Sequence, residues 1–251
     1  MFSFIKSKPI LKDLIPEGYI DIHSHILFGI DDGAQLPEDS QFLMQRMVDL
    51  GFSKSITTPH TIHSILDNTT EIINGRLKEV REILPELSSK LNLTAASEYM
   101  MDHNFLTRVQ SEPLLTLKDK YVLVEMSYLN PPIQLHDILF EIKLAGYIPV
   151  LAHPERYLYY HNDLSKYDKL KKSGCLFQLN LLATVGYYGA GVTKIAEELL
   201  RKGKYDFTGS DIHHAKHIAG FDQKIKIKEA NALKEIMKNN WIFELEHARL
   251  S

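Results

Sequence analysis

The chain has 251 residues, 44% of them hydrophobic and 24% charged, the balance of a soluble globular protein with a sizeable core. A net charge of −3 offers no basic footprint for a nucleic acid or an anionic membrane surface. The length suits one α/β domain, and a single cysteine excludes an intramolecular disulfide.

Residues 1–18 open with "MFSFIKSKPILKDLIP", in which three lysines interrupt the apolar positions. The stretch is too short and too charged for a signal peptide or a membrane span. It reads as a loosely attached N-terminal arm on a cytoplasmic protein, followed by one domain over residues 19–251. Seven short apolar or β-branched runs then occur at 19–22, 53–57, 91–96, 121–126, 147–152, 176–181 and 205–209. Most are continuous rather than alternating, which suits strands covered on both faces. After the first run, Pro37 precedes Leu43, Met44, Met47 and Val48 at helical spacing, with Gly51 as the stop. After the second, Asn68 and Glu71 have the spacing of a capping box leading into Ile73, Leu77, Val80 and Leu84. Ile138, Ile142 and Ala145 follow the fourth run and end at Gly146; Ile195 and Leu199 follow the sixth and end at Gly203. A last helix over 222–239 precedes "WIFELE", read as a short closing segment. Strand and helix alternate without linker or repeat, which predicts one parallel α/β domain, closed as a barrel rather than an open sheet.

Polar residues gather where these runs end. The first is followed by "HSHILFGIDDG", with His23, His25 and Asp32; the second by His60 in "TTPH"; the third by Glu98 in "SEYMMD". Glu125 lies inside the apolar fourth run, "YVLVEMSY", where an acid needs a cationic partner. His153 and Arg156 follow the fifth run in "AHPER", and Asp211 and His213 follow the seventh in "SDIHH". C-terminal strand ends are where barrel enzymes build their sites. Residues two apart on an extended strand point the same way, so His23/His25 and Asp211/His213 can each converge on one centre. Taken singly, each histidine is more simply a hydrogen-bonded core or surface residue. Nine such groups at the same end of six runs predict a metal site.

Five imidazoles and four carboxylates without a thiolate suit divalent Mn, Fe or Zn, and nine ligands are enough for two or three ions. The pocket would then be net positive and favour a phosphate ester over a neutral amide. Cysteine-based phosphoryl chemistry is excluded, because Cys175 heads an apolar run, "SGCLFQLN", and no arginine follows it in that loop.

These motifs, in this order, resemble the PHP (polymerase and histidinol phosphatase) family, and within it the bacterial tyrosine-protein phosphatases of capsule and exopolysaccharide loci. The resemblance runs from residue 21 to 213 and implies a distorted seven-stranded (β/α) barrel with a trinuclear site, manganese being the expected metal. Carried over by position, His23, His25, Glu98 and Asp211 match the first ion's ligands. A bridging Glu98, Glu125 and His153 match the second, and Asp32, His60 and His213 the third. Arg156 would clamp the phosphoryl oxygens, with Asp211 beside it in the catalytic centre. Relatives often carry another arginine after the last D-x-H, where this chain reads "HHAKHIAGF"; Lys216 or His217 would have to substitute, without the arginine fork. Tyr157, Tyr159 and Tyr160 are candidates to line a ring slot, against a reading as ordinary aromatic packing. The implied reaction is hydrolysis of phosphotyrosine by a hydroxide shared between metals, on a partner such as the tyrosine-rich tail of a membrane kinase that controls polysaccharide export. The alternatives are a small-molecule phosphatase, for instance one acting on histidinol phosphate, and a metal-stabilised binding module without catalysis. The module reading would be favoured by a missing ligand, and none of the nine is missing.

Overall fold

A computed structural model of the protein describes residues 7–244. In chain order it contains β1 (Tyr19–Asp21), α1 (Pro37–Asp49), β2 (Phe52–Thr57), β3 (His60–Thr61), α2 (Thr70–Ile83), α3 (Pro85–Lys90), β4 (Thr94–Ala95), β5 (Glu98–Met100) and α4 (His103–Ser111). There follow β6 (Tyr121–Glu125), α5 (Leu135–Leu144), β7 (Ile148–Ala152), α6 (Ser165–Lys172), β8 (Leu176–Asn180), α7 (Ala190–Arg201), β9 (Phe207–Gly209), α8 (Ala215–Gly220) and α9 (Ala230–Lys238). Among the described residues no helix is long and apolar enough to cross a membrane.

The strands pair in parallel throughout, in a three-stranded sheet ordered β1-β2-β4 and a six-stranded sheet ordered β3-β5-β6-β7-β8-β9. Each of the seven expected runs contains a strand, but the count and the grouping differ from a single seven-stranded sheet. The second run continues past Pro59 as β3, and the third past Ala96 and Ser97 as β5. Proline has no N–H to donate to a ladder, so the pairing changes sheets there. Ala96 N–H still donates to Thr57 O (2.8 Å) and Glu98 N–H to Pro59 O (3.1 Å), which carries the chain across the break.

Ile20, Ile22, Ile56, Leu123, Val150 and Phe207 form one buried cluster drawn from both sheets. The larger cluster lies outside it, where Met44 and Met47 of α1, Ile138 and Ile142 of α5 and Leu199 of α7 cover the strands. This double coverage is what continuous apolar runs require.

Two local expectations are corrected. The α2 cap is Thr69, whose side chain accepts from Ile72 N–H; Asn68 is buried and donates to Ile30 O (2.8 Å) and His60 O (2.7 Å). The helix expected over 222–239 is confined to α9, because the segment before it pairs elsewhere. Ile225 N–H donates to Pro9 O (3.0 Å) and Lys226 N–H to Thr184 O (2.7 Å). Residues 1–6 of the expected arm, and 245–246 of the expected closing segment, lie outside the described residues. From Pro9 the arm is held down, with Leu11 and Leu14 buried and Leu11 N–H donating to Gln223 O.

Between β1 and β9 the seam is stitched by side chains. Tyr19 and Thr208 share a hydroxyl hydrogen bond (2.8 Å), and Asp21 accepts from Ser210 N–H (2.8 Å) and Oγ–H (2.7 Å). Asn240, fully buried, donates to Ile20 O and Thr208 O and accepts from Thr208 N–H. Removing this amide leaves buried backbone groups without partners. Asn240→Ala should therefore lower the unfolding free energy by about 1–3 kcal/mol, read as an earlier denaturant midpoint with unchanged slope.

Candidate metal centre

All nine expected residues meet at one end of the strands. His23 and His25 leave β1 on the same side, and a parallel bridge between Ser24 and Ile212 brings them against Asp211 and His213. Asp211 N–H donates to His23 O (2.8 Å) and His25 N–H to Ile212 O (2.9 Å). His153 and Asp211 both have positive φ, 37° and 52°, a region that costs non-glycine residues energy and recurs at functional sites. Neither turn could be read from residue type.

Glu98 sits at the middle. Its Oε2 is 3.1 Å from His23 Nε2, 3.4 Å from His25 Nε2 and 3.2 Å from His60 Nδ1, and its Oε1 is 3.2 Å from His153 Nε2. Glu125 Oε1 lies 2.8 Å from His60 Nδ1, and Asp211 Oδ1 lies 3.2 Å from His23 Nε2 and 3.4 Å from His213 Nδ1. Asp32, at the rim, is 3.4 Å from both His60 Nε2 and His213 Nε2. The donor atoms form overlapping groups: His23/His25/Asp211, His23/Glu98/His153, His60/Glu98/Glu125 and His25/Asp32/His60/His213. His60 therefore faces Glu125 as well as Asp32, whereas the sequence placed it with Asp32 and His213 alone.

Burial opposes the charge on Glu98 and Asp211, yet the surrounding imidazoles hold both carboxyls well below their usual range. Burial also opposes the imidazolium forms of His25 and His60. The facing carboxylates win, leaving His25 well above the ordinary histidine value and His60 at about 9. For Glu125, burial and the neighbouring Glu98 push the carboxyl up. His153 goes the other way, down to about 4, through burial and the Arg156 charge.

These donors fit divalent ions. Glu98 Oε1, Glu125 Oε1 and His60 Nδ1 are buried without a hydrogen bond of acceptable direction, despite their short separations. Buried polar atoms crowded together without satisfying one another call for a further partner, and a cation fits this donor set.

The outer contacts were less legible. His25 Nδ1–H donates to Asp31 (2.7 Å) and His23 Nδ1–H to Gln178 Oε1 (2.7 Å). Asp31 also accepts from Gly33 N–H and His60 N–H. A Cβ on Gly33 would lie 2.1 Å from His25 O, and one on Gly209 would lie 2.6 Å from Gln178 Oε1. Only glycine allows these close approaches.

Above the cluster opens a cavity of about 210 Å³, lined by Asp32, His60, His153, Asp211 and His213 with Tyr128, Arg156, Tyr188, His214 and His217. Arg156 donates to Asp211 Oδ2 (2.8 Å), and its guanidinium lies 4.6 Å from the Tyr128 ring centre and 4.2 Å from that of Tyr188. Asn180 donates to both Asp211 Oδ2 (2.7 Å) and Tyr188 Oη (3.0 Å). His217 reaches the cavity, while Lys216 is exposed and absent from its lining. None of Tyr157, Tyr159 and Tyr160 lines it: Tyr157 is fully buried and bonds Met126 N–H and Ala152 O. Tyr128 and Tyr188 take the place expected for them. Sequence gave no periodic or motif signal for either, since both lie in loops after strands.

A family model described as "Capsular polysaccharide synthesis, CpsB/CapC" matches residues 19–238. The tyrosine-protein phosphatase CpsB of Streptococcus pneumoniae is 29% identical over 201 residues, 78% of this chain and 83% of that protein. The tyrosine-protein phosphatase YwqE of Bacillus subtilis is 28% identical over 198 residues, 78% of each. A crystal structure from work on these two proteins, described as metal-dependent tyrosine phosphatases, superposes with a TM-score of 0.75 at 27% identity over 86% of each chain. An amidohydrolase from Mycoplasma synoviae, at 12% identity and a TM-score of 0.54 over 95% of this chain and 91% of its own, shares the fold. The match from residue 19 to residue 238 takes in the strands and helices from β1 to α9 and makes the chain a member of the CpsB/CapC family of capsular polysaccharide synthesis.

Proposed function

We propose that the protein is a metal-dependent protein-tyrosine phosphatase of capsule or exopolysaccharide synthesis. The observation that carries this reading is the convergence of five imidazoles and four carboxylates in one cluster with Glu98 at its middle, in a chain similar over 78% of its length to tyrosine phosphatases. His23, His25, Asp32, His60, Glu98, Glu125, His153, Asp211 and His213 would hold two or three divalent ions, manganese by preference and iron or zinc as alternatives. Bound there, such ions supply a nucleophile from water at neutral pH and neutralise charge developing on phosphorus. The two sheets are best read as one distorted seven-stranded barrel. The inner cluster they share and the Ser24–Ile212 bridge support this.

The chain's own residues prepare the site. Asp31 and Gln178 accept the Nδ1 protons of His25 and His23, leaving both Nε2 lone pairs aimed at Glu98 and Asp211. Fixing the tautomer in this way also raises ligand basicity. Arg156 is the phosphoryl clamp, its guanidinium over the rings of Tyr128 and Tyr188 and its NH1 on Asp211. His217 takes the place of the second arginine. Burial pushes its pKa down to about 3, and its Nδ1 accepts from His213 N–H, so a neutral ring keeps its proton on Nε2. It offers a phosphate oxygen a hydrogen bond without a charge. The substrate would be a phosphotyrosyl segment of a cytoplasmic kinase tail that regulates polysaccharide export.

Purified protein should hydrolyse phosphotyrosyl peptides faster than histidinol phosphate, lose activity to a chelator, and regain it with added divalent ions. Thiol alkylation should leave turnover intact, since Cys175 is buried with its thiol pushed up to about 12. Preferential turnover of histidinol phosphate would replace the protein-phosphatase reading with the small-molecule one. Asp31→Asn should weaken metal affinity by roughly 10–100-fold in a titration followed by elemental analysis. Arg156→Ala should lower kcat/KM by roughly 10²-fold or more with metal content unchanged, and Arg156→Lys should recover only part.

A further inference from the structure

The catalytic cavity is too small to contact more of a protein substrate than the phosphorylated side chain, so recognition of the chain on either side must happen beyond it. Next to it lies a second, larger pocket of about 460 Å³, reaching from Met100 and Met101 to Pro132, Ile133 and Ile138. The two share no lining residue but are walled by neighbouring stretches of chain. Met100 pairs with Glu125 across the sheet, and Met101 N–H donates to Glu125 O at 2.8 Å. On the other side the wall is one residue thick: Tyr128 lines the catalytic cavity and its neighbour Ser127 lines the pocket.

Most of the surface the pocket exposes is apolar, although Asp102, His103, Ser127, Asn130 and Gln134 also line it. Met101 and Ile138 are buried, while Ile133 is fully exposed at the edge and Leu129, next in the chain to the lining residue Asn130, is 87% exposed. Exposed apolar side chains grouped around a concavity mark a binding surface, and methionine side chains adapt to differently shaped apolar guests. A peptide whose phosphotyrosine enters beside Tyr128 advances about 3.3 Å per residue when extended. A side chain within a few residues of the phosphotyrosine therefore reaches the pocket. We propose that this pocket between α4 and the β6–α5 loop receives an aliphatic or aromatic side chain flanking the phosphotyrosine of the substrate peptide. The assignment rests on the protein-phosphatase reading above, and the pocket then sets which phosphotyrosines are preferred.

The test uses the metal-loaded protein with three substrates: p-nitrophenyl phosphate, a phosphotyrosyl peptide with leucine at the flanking positions, and the same peptide with serine there. The leucine peptide should have about tenfold higher kcat/KM, the size expected for partial burial of one aliphatic side chain, expressed mainly in KM. Ile133→Asp, at a fully exposed position, should erase that preference while leaving p-nitrophenyl phosphate turnover unchanged. The dephosphorylated leucine peptide should bind the wild-type protein more tightly than Ile133→Asp by fluorescence anisotropy. Equal turnover of both peptides, or a preference that survives Ile133→Asp, overturns the pocket assignment and leaves the phosphatase reading standing. A change in sedimentation of Ile133→Asp with the preference intact assigns the pocket to a second copy of the chain and equally overturns it. If p-nitrophenyl phosphate is hydrolysed and neither peptide is, both readings fall together.

Discussion

A single carboxylate faced by four imidazoles governs this molecule. Glu98 is wholly buried, and His23, His25, His60 and His153 each bring a ring nitrogen within 3.1–3.4 Å of it. Burying an anion in this way costs several kcal/mol unless a cation answers it. Against the effect of burial, the facing carboxylates hold His25 and His60 above the ordinary histidine value, which favours protons there as part of that charge. Divalent ions would replace those protons at the same place, among buried atoms that have no other hydrogen-bond partner.

The fold brings these groups, remote in sequence, to one place. Glu125 closes β6 and Glu98 and His60 open β5 and β3, while the other ligand candidates leave from the loops that follow β1, β7 and β9. Where the strand direction alone does not suffice, the backbone bends out of its usual range, at His153 and Asp211. Strain of that kind persists only when the surroundings over-determine it. The stitching of β1 to β9 by Tyr19, Asp21, Ser210 and Asn240 does so, directly beneath His23 and Asp211. Stability of the seam and geometry of the site are thus one problem.

Much of this is legible in the residues. Continuous apolar runs mark buried parallel strands, and an acid inside one of them, Glu125, signals a missing cation before any coordinates exist. The ligand set could be read because its members lie in or after the apolar runs, although Glu98 and His60 themselves open β5 and β3. What could not be read depends on contacts remote in sequence. Asp31 looks like its neighbour Asp32, and only the fold shows that the first orients His25 while the second faces His60 and His213. Gln178 and Asn240 are single polar residues whose partners lie 155 and 220 positions away. The split of two runs into β2/β3 and β4/β5, and the pairing of residues 223–226 with the segment around Pro9 in place of a longer last helix, are likewise tertiary choices that overrule local pattern.

The central claim is that the Glu98 cluster is a multinuclear cation site. Anomalous diffraction at the manganese edge, from crystals grown with Mn²⁺, tests it most directly. At least two peaks should appear within about 2.0–2.3 Å of the cluster's nitrogen and oxygen atoms, one of them shared by Glu98. Peaks confined to surface carboxylates, with none at ligand distance from Glu98, would contradict it.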